Sequence, residues 1–463
     1  MSFSTLPFLF YFLPAFLLLY YLVPAHWRNF MLAAGSLLFY WLGAGTPASF
    51  VLLALLLINF VAARLMDGAR GGGRRVWLAL ALLCDLGSLF YFKYMAWFLD
   101  NLDKLTGIGP PLFRVALPLG LSFYVFQSIA YVVDVYRGDA KAERSLCSYA
   151  AFQTMFPQLV MGPILRLDDV CAELHAHRRF SRAALESGFS LFVVGLGCKV
   201  ILADQLAALW TELARIGFAY LSTPLAWFGA VGYSLQLYYD FAGYSLMAMG
   251  LGQMLGFSIP RNFDLPYCSR SISEFWRRWH ITLGTWFRDY LYIPLGGSRH
   301  GGARLFWSLL VVWALTGLWH GAAWNFVLWG LVLFVLITLE KFCIGGFLSR
   351  HRFLSHLYFL FLIPQTWVIF RISDLGELAA YFSRLYPFLS SGESVFAGDL
   401  LRQLESFWWL FALGLLLATP WPRRFYEKYR ATALVWLPLF AIFWLCLYLI
   451  STGAGDPFLY ARF

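Results

Sequence analysis

The stretch LFWSLLVVWALTGLWHGAAWNFVLWGLVLFVLITL, residues 305–339, decides the fold class. Two strongly apolar runs meet at His320, and each approaches the length of about 20 apolar residues that a membrane-spanning helix needs. A histidine at membrane depth is costly and rare. The position of His320 therefore indicates a functional role as well as a membrane fold.

The whole chain has the composition of a membrane protein. Of its 463 residues, 60% are hydrophobic and only 13% are charged, whereas soluble domains are about 25% charged. The apolar runs do not alternate with polar residues, as the strands of a membrane barrel do. We therefore predict an all-α polytopic membrane protein. We treat residues 1–463 as one domain, because no long linker or repeat divides them.

Apolar runs close to spanning length recur along the chain. The candidate spans are residues 6–24, 29–44, 49–66, 76–99, 115–134, 187–205, 224–256, 304–319, 322–341, 354–372, 405–419 and 431–450. The run 224–256 is long enough for two segments, or for one broken at Gly243. Some short runs suit re-entrant segments, so we expect about 11–14 helices. Pro7–Val23 has no basic leader, so we expect a retained span rather than a signal peptide.

The charge distribution predicts the orientation. The net charge is +10, and the basic residues fall in short loops between spans, as they do on the cytoplasmic side of membrane proteins. This pattern indicates a lipid bilayer, not nucleic acid, as the partner. Residues 63–75 and 422–430 are rich in Lys and Arg, so we predict that both loops are cytoplasmic. Twelve crossings (the number of candidate spans) then put both termini in the periplasm.

Signatures of several other chemistries are missing from the sequence. The seven cysteines are scattered, and no C-x-x-C pair occurs. No P-loop, G-x-S-x-G or H-E-x-x-H motif is present. We predict no disulfide framework, no metal site and no bound cofactor.

Residues 271–292 have a different pattern from the spans. Apolar residues recur at helical spacing along this segment, which predicts one amphipathic helix lying in the membrane interface. Ser271 and Glu274 suit a capping box at its start. His280 would lie at the edge of the apolar face. Arg277 and Arg278 lie on the polar face, where they could attract a phosphorylated donor or anionic lipid.

The two histidines are the strongest candidates for catalysis. An uncharged imidazole at His320 could take a proton from a hydroxyl group, or could simply bind a neighbouring helix. His280 could position a substrate, or could have a structural or headgroup-binding role. Trp319 and Trp324 could wall a channel.

Four charged residues within or at the ends of apolar runs are Asp85, Asp134, Lys199 and Asp240, for which structural pairing is the leading interpretation. We keep Asp240 as a candidate binding residue as well. The full set of candidate substrate- or donor-binding residues is Trp276, Arg277, Arg278, Trp319, Asn325 and Asp240.

Several segments together resemble the membrane-bound O-acyltransferase family, in particular its bacterial branch that acetylates exopolysaccharides. The segments are 117–128, 131–138, 156–163, 238–252, 273–297 and 318–324. The combination of FWRRWH ending at His280 with WHG around His320 is specific. The resemblance implies a ring of tilted helices around a thin, funnelled centre. It also implies that His320 is the family's near-invariant histidine and that His280 is its second one.

The resemblance implies an enzyme of the bacterial inner membrane. We expect it to take an acetyl group from a cytosolic donor, acetyl-CoA, and to pass it across the membrane. The acceptor would be a periplasmic partner protein that O-acetylates a polysaccharide such as alginate or cellulose. Alternatives are D-alanyl (teichoic acid) or peptidoglycan acyl transfer by the same fold, an acyl transporter or flippase, and a scaffold without activity.

Overall fold

The computed structural model describes residues 2–107, 109, 115–299, 301–386, 388, 396, 398–430, 432–453 and 458. These residues form helices and loops, and no strand occurs among them. Within the described ranges, 8 helices are long and apolar enough to cross a membrane. They are Ala25–Gly68, Gly72–Thr106, Arg182–Ile216, Gly302–His320, Trp324–Arg350, Arg352–Arg371, Asp399–Leu417 and Ala433–Ser451, and a shorter apolar helix is Phe8–Leu22. The prediction of a helical, multi-pass membrane protein is confirmed.

Two predicted spans, 29–44 and 49–66, lie within one assigned helix, Arg28–Gly68. The helix is broken at Gly45, whose φ of 80° lies in the left-handed region that favours glycine. Asn29 donates a hydrogen bond to Ser148, and the Phe60 ring packs against that of Tyr149. In a straight helix, residues 29 and 60 would be about 45 Å apart. The two halves therefore fold back on each other as two separate spans.

One compact unit contains Met1–Phe192 and Tyr244–Arg261. Its helices are Phe8–Phe12, Leu13–Leu22, Ala25–Trp27, Arg28–Gly68, Gly72–Leu89, Phe90–Tyr94, Met95–Thr106, Leu121–Arg137, Leu146–Thr154, Phe156–Leu159 and Leu167–His175. Phenylalanine rings fill its interior, with Phe156 packed against Phe16 and Phe39. A buried pair also forms here, because Asn59 donates to the Asp85 carboxylate over 2.8 Å. The structural role predicted for Asp85 is thereby confirmed.

The second unit contains Val193–Gly243 and Asn262–Leu459. Its helices are Cys198–Ala203, Asp204–Ile216, Phe218–Tyr220, Pro266–Cys268, Ile272–Arg278, Ile281–Phe287, Arg288–Tyr292, Gly302–His320, Trp324–Leu339, Glu340–Ile344, Gly345–Arg350, Arg352–Arg371, Leu375–Leu385, Asp399–Leu417, Pro420–Tyr429 and Ala433–Ser451. Helices Arg182–Gly197 and Thr223–Leu255 contribute residues to both units.

The structure corrects the interpretation of Gly243. The helix Thr223–Leu255 runs through this residue without a break. A Cβ atom at Gly243 would lie only 2.7 Å from the carbonyl oxygen of Gly195. The glycine is needed for close helix contact, a role that hydropathy cannot distinguish from that of a break.

Candidate active site

The structure contradicts the prediction of one amphipathic helix over 271–292. A helix Ile272–Arg278 ends before Trp279, and a second helix begins at Ile281. Between them, His280 has φ 45° and ψ 55°, in the left-handed region. Half of the predicted capping box forms: the Ser271 hydroxyl accepts the Glu274 N–H, whereas the Glu274 carboxylate accepts the N–H of Arg270 instead of that of Ser271. The apolar spacing continues across the break, so the spacing alone gave no signal of it.

Asn262 holds the backbone and side chains at this break. Its carbonyl oxygen accepts the Ile281 N–H over 2.9 Å. Its side-chain oxygen accepts both the N–H and the hydroxyl of Thr282, at 3.2 and 2.8 Å. The same oxygen lies 3.2 Å from Nδ1 of His280. The backbone and side chain of one buried asparagine together hold three consecutive residues in place.

These contacts also determine the tautomer of His280. The Thr282 N–H can only donate, so the Asn262 atom that it faces is the oxygen. The His280 Nδ1 must then carry the proton in the bond to Asn262, and Nε2 is the acceptor nitrogen of the neutral ring. Burial lowers the pKa of His280 to about 3. The imidazole is therefore neutral at physiological pH.

His320 is the last residue of the helix Gly302–His320 and is only 4% exposed. Its imidazole packs edge-on against three aromatic rings, with centroid distances of 4.9 Å to Trp319, 5.0 Å to Trp329 and 5.1 Å to Phe370. Gly321 follows it, and a Cβ atom there would lie 2.1 Å from the ring of Phe326. The aromatic side chains thus hold the ring in a narrow space.

Trp319 brings the two histidines into one site. Its indole is 6.0 Å from the His280 ring and 4.9 Å from the His320 ring, centroid to centroid. The ring of Phe241 also packs on His280, 4.7 Å away at an angle of 88°. The predicted candidates His280, His320 and Trp319 therefore lie together. Trp324, by contrast, is exposed.

The helix that ends at His320 packs closely against the helix that follows it. A Cβ atom at Gly317 would lie 2.3 Å from the carbonyl oxygen of Phe326, and one at Gly330 would lie 2.4 Å from that of Trp313. The helices Gly302–His320 and Trp324–Leu339 can approach this closely only with glycine at both positions.

Asn325 acts on the backbone next to His320. Its side-chain nitrogen donates to the carbonyl oxygens of Ile369 and Phe370, at 3.2 and 3.0 Å. These carbonyls lie at the C-terminal end of the helix Arg352–Arg371, where intrahelical partners run out. Because the Phe370 ring packs on His320, Asn325 has the geometry of a positioning residue.

Glu340 holds the start of the helix Ile272–Arg278, which leads to His280. Its carboxylate accepts the N–H groups of Ile272 and Ser273, at 2.5 and 2.9 Å, and the Ser273 hydroxyl at 2.6 Å. The carboxylate therefore caps the start of the helix that leads to His280, where a negative charge also stabilises the helix dipole.

The three other candidates on this helix have different environments. Trp276 packs among Trp313, Trp329 and Trp367, with ring centroids 5.2 to 5.8 Å away. Arg278 pairs with Glu274 at 2.9 Å. Arg277 is exposed. Trp276 thus belongs to a cluster of tryptophan side chains. The charge of Arg277 is more accessible than that of Arg278.

Asp240 is one of three charged residues buried together. The ammonium of Lys199 lies 2.7 Å from its carboxylate and 2.6 Å from that of Asp204. All three side chains are at most 2% exposed. The structural pairing predicted for Lys199 and for Asp240 is confirmed, and the structure shows that each is a partner of the other.

A cavity of about 620 Å³ opens beside the C-terminal end of the helix Arg352–Arg371. Its lining includes Trp210, Phe218, Tyr220, Arg371, Ser373 and Glu377. The Arg371 guanidinium lies 5.9 Å from the rings of Trp210 and Tyr233. Since Phe370 packs on His320, the cavity begins one residue away from the wall of the histidine site.

Comparison with known proteins identifies the family. The sequence profile of the membrane-bound O-acyltransferase family matches residues 139–370. The chain is 42% identical over 399 residues to the probable alginate O-acetylase AlgI of Azotobacter vinelandii, covering 84% of this chain and 78% of the relative. The chain belongs to the membrane-bound O-acyltransferase family.

Two further relatives indicate how broad this membrane-bound O-acyltransferase group is. The peptidoglycan O-acetyltransferase of Helicobacter pylori is 32% identical over 416 residues, which cover 81% of this chain and 77% of the relative. The teichoic acid D-alanyltransferase of Bacillus subtilis is 30% identical over 236 residues, with coverages of 48% and 59%. The protein is thus a membrane-bound O-acyltransferase of the bacterial branch that includes the alginate O-acetylases.

The matched range 139–370 contains both histidines and ends at Phe370. Sequence reasoning missed several residues of the site: Phe241, Asn262, Trp329, Glu340, Trp367 and Phe370. Asn262 could have been noticed, because it follows Pro260 in a polar loop where asparagine commonly fixes local backbone. The aromatic residues carried no such signal, since 20% of the chain is aromatic.

Proposed function

We propose that this acyltransferase moves an acetyl group from acetyl-CoA in the cytosol to a hydroxyl group on the periplasmic side of the bacterial inner membrane. The acceptor belongs to a partner protein that O-acetylates a polysaccharide such as alginate. The observation that carries the proposal is the contact of one indole, Trp319, with both imidazoles. Two imidazoles in one enclosed aromatic site suit proton transfer during acyl transfer.

In this mechanism His320 is the general base. It takes the proton from the acceptor hydroxyl as the oxygen attacks the carbonyl carbon of the thioester. The C–O bond forms, the C–S bond breaks, and the proton passes to the departing thiolate. His280 keeps its own proton on Nδ1 through Asn262, so its Nε2 can accept a hydrogen bond that orients a reactant. Because His320 is almost fully buried, a surrounding aromatic side chain must move to admit the substrates.

Contacts on the side of His280 support cytosolic access for the donor. Asp264, which precedes the His280 helix pair, forms an ion pair with Arg423 at 2.8 Å. Cys268 donates to the carbonyl oxygen of Ala418 over 3.4 Å. Arg423 lies in the short helix Pro420–Tyr429, within the basic segment 422–430 that we predict to be cytoplasmic. Exposed Arg277 could there attract the phosphates of the donor.

Contacts at the cavity support the opposite access for the acceptor. The helix Asp399–Leu417 leads from the basic loop across the membrane, and its first residue, Asp399, accepts hydrogen bonds from the N–H and hydroxyl of Ser222. Ser222 lies two residues from Tyr220 in the cavity wall. The cavity then opens to the periplasm, close to His320, and both chain termini lie on that side.

The test is acetyl transfer by a His320→Ala variant in a strain that lacks the wild-type protein. Losing a general base costs about 10²–10⁴ in rate, so polymer acetylation should nearly disappear while the protein remains in the membrane. His177→Ala, at an exposed loop histidine, is the matched control. Normal acetylation in the His320→Ala strain would refute the proposal. Consumption of acetyl-CoA by purified protein separates catalysis from transport, because a transporter leaves the thioester intact.

A further inference from the structure

Two arginines are buried side by side in the first unit, far along the chain from either histidine. Arg28 and Arg178 are 9% and 7% exposed. The Arg28 guanidinium lies 5.8 Å from the ring of Tyr20, and Nε of Arg178 donates to the Tyr20 hydroxyl over 2.7 Å. The same tyrosine therefore contacts both cations.

Arg178 is satisfied by neutral acceptors. Besides Tyr20, it donates to the backbone carbonyl of Glu173 and to the side-chain oxygen of Asn29. Its guanidinium also stacks 4.6 Å from the ring of Phe257. These contacts fix the side chain and leave its positive charge uncompensated.

The hydrogen-bond donors of Arg28, in contrast, are not all paired. Its Nε and Nη1 atoms are fully buried and have no hydrogen-bond partner within the described ranges. Its remaining contacts are with the faces of two tyrosines, Tyr20 at 5.8 Å and Tyr21 at 5.2 Å. Neither arginine forms an ion pair with a carboxylate of the described part of the chain. Cation–π contacts stabilise a charge far less than its removal from water destabilises it.

The surroundings of the pair are those of a membrane interface. Arg28 begins the helix Arg28–Gly68, which belongs to the candidate membrane-spanning segment Ala25–Gly68. Exposed aromatic residues surround it, namely Trp27, Phe30 and Phe180. Phe180 packs on Tyr21 at 5.3 Å, and Trp27 packs on Phe30 at 5.6 Å. Aromatic side chains at a helix end commonly lie at the level of lipid headgroups.

We propose that Arg28 and Arg178 form a binding site for a phosphate group, and that its source is the headgroup of an anionic phospholipid. One of the exposed aromatic side chains moves aside to admit the headgroup, whose phosphate oxygens accept hydrogen bonds from Nε and the amino groups of Arg28 and neutralise the pair, while the acyl chains lie along the exposed aromatic residues. Arginine suits this task because its planar fork can donate two parallel hydrogen bonds to phosphate. The site is independent of the proposed acetyl transfer.

The test uses the purified full-length protein in a neutral detergent. Native mass spectrometry and thermal unfolding are measured after addition of phosphatidylglycerol, phosphatidylcholine or inorganic phosphate. Phosphatidylglycerol should raise the unfolding midpoint of the wild type by several degrees more than phosphatidylcholine does. Arg28→Gln should lose this difference and bind phosphatidylglycerol about tenfold more weakly. Arg179→Gln, which removes the same charge from the exposed residue next to Arg178, should behave as the wild type.

Each outcome decides for or against the site. If inorganic phosphate alone reproduces the stabilisation and Arg28→Gln abolishes it, the anion site stands and its source is free phosphate. If Arg28→Gln responds to phosphatidylglycerol as the wild type does, the proposal is overturned. If Arg28→Gln fails to fold, the wild-type protein alone still tests the proposal. Equal shifts of its unfolding midpoint with phosphatidylglycerol and with phosphatidylcholine would overturn the lipid site.

Discussion

The side-chain oxygen of Asn262 lies 3.2 Å from Nδ1 of His280 and holds this imidazole in one neutral tautomer. The residues are 18 positions apart and both are buried. The hydrogen bond directs Nε2 away from Asn262, as the acceptor nitrogen of the ring. A histidine whose second nitrogen is fixed in this way is suited to orient a reactant, because its hydrogen-bonding role cannot change by tautomerisation.

Asn262→Asp should give the enzyme a new dependence on pH. The carboxylate places an opposite charge next to the ring and should raise the pKa of His280, from about 3, by about 1–3 units. Below about pH 6 the variant should therefore lose transfer activity relative to the wild type, as His280 becomes protonated. The measurement is acetyl transfer by purified protein between pH 5 and pH 8. Asn262→Ala should lower activity at every pH, and an unchanged profile for Asn262→Asp would contradict the assigned contact.

The left-handed backbone at His280 predicts which substitutions the fold tolerates. Asparagine adopts φ near +45° with little strain, whereas a β-branched side chain does not. His280→Asn should therefore be more stable than His280→Val by about 1–2 kcal/mol. Chemical unfolding in detergent measures the difference. Equal stability of the two variants would show that residue 280 continues a helix, and both variants should have reduced transfer activity.

Stability should also depend on the protonation of His280. Its pKa is about 3 in the folded protein and 6.5 when unperturbed, so only the unfolded chain takes up the proton between these values. The stabilisation is fully present above pH 6.5 and is lost as the pH falls toward 3. Between pH 7 and pH 5 the wild type should lose about 2 kcal/mol more than His280→Asn. Parallel pH curves for the two proteins would contradict a buried, neutral ring.

Hydropathy was sufficient to predict the helical membrane fold, because burying apolar surface in lipid requires long uninterrupted runs. Every predicted span overlaps a helix in the described ranges, but the helices over 115–134 and 224–256 are not among the 8 that are long and apolar enough to cross a membrane. Hydropathy could not predict the break at His280, since the apolar spacing from Phe275 to Trp286 suits both one helix and two. The break depends on Asn262, which reaches the segment only through tertiary structure.

The site itself was predicted in part. His280, His320 and Trp319 were identified from local sequence, and the structure brings them together. The roles of Asn325 and Glu340 could not be predicted, because both act on the backbone of distant helices. Asp240 was identified as a charge that needs a partner, and Lys199 provides it. The second carboxylate, Asp204, was not expected.

Removing the ammonium of Lys199 should destabilise the protein strongly. Lys199→Met leaves Asp204 and Asp240 buried without a counter-charge, which should cost about 3–5 kcal/mol of unfolding free energy. Replacing all three residues together (Lys199→Met, Asp204→Leu and Asp240→Leu) should restore most of it. Arg215→Met, which breaks an exposed pair with Glu212, should cost less than about 1 kcal/mol.

The triple variant also tests the role of Asp240. If Asp240 only pairs with Lys199, the restored protein should transfer acetyl groups at near the wild-type rate. An inactive but stable triple variant would contradict a purely structural role for these three residues, of which Asp240 is the candidate binding residue.

Glu340 should matter for both the stability and the position of the His280 segment. Glu340→Gln keeps the size of the side chain but removes the charge and turns an N–H donor toward the N–H groups of Ile272 and Ser273. Losing charged hydrogen bonds at a buried helix start should cost about 2–3 kcal/mol. Glu427→Gln, at an exposed pair with Arg423, should cost less than about 1 kcal/mol.

If the helix start positions His280, acetyl transfer by folded Glu340→Gln should fall, and the decrease should be in kcat. A variant as stable and as active as the wild type would mean that Ile272–Arg278 is held by its aromatic contacts alone.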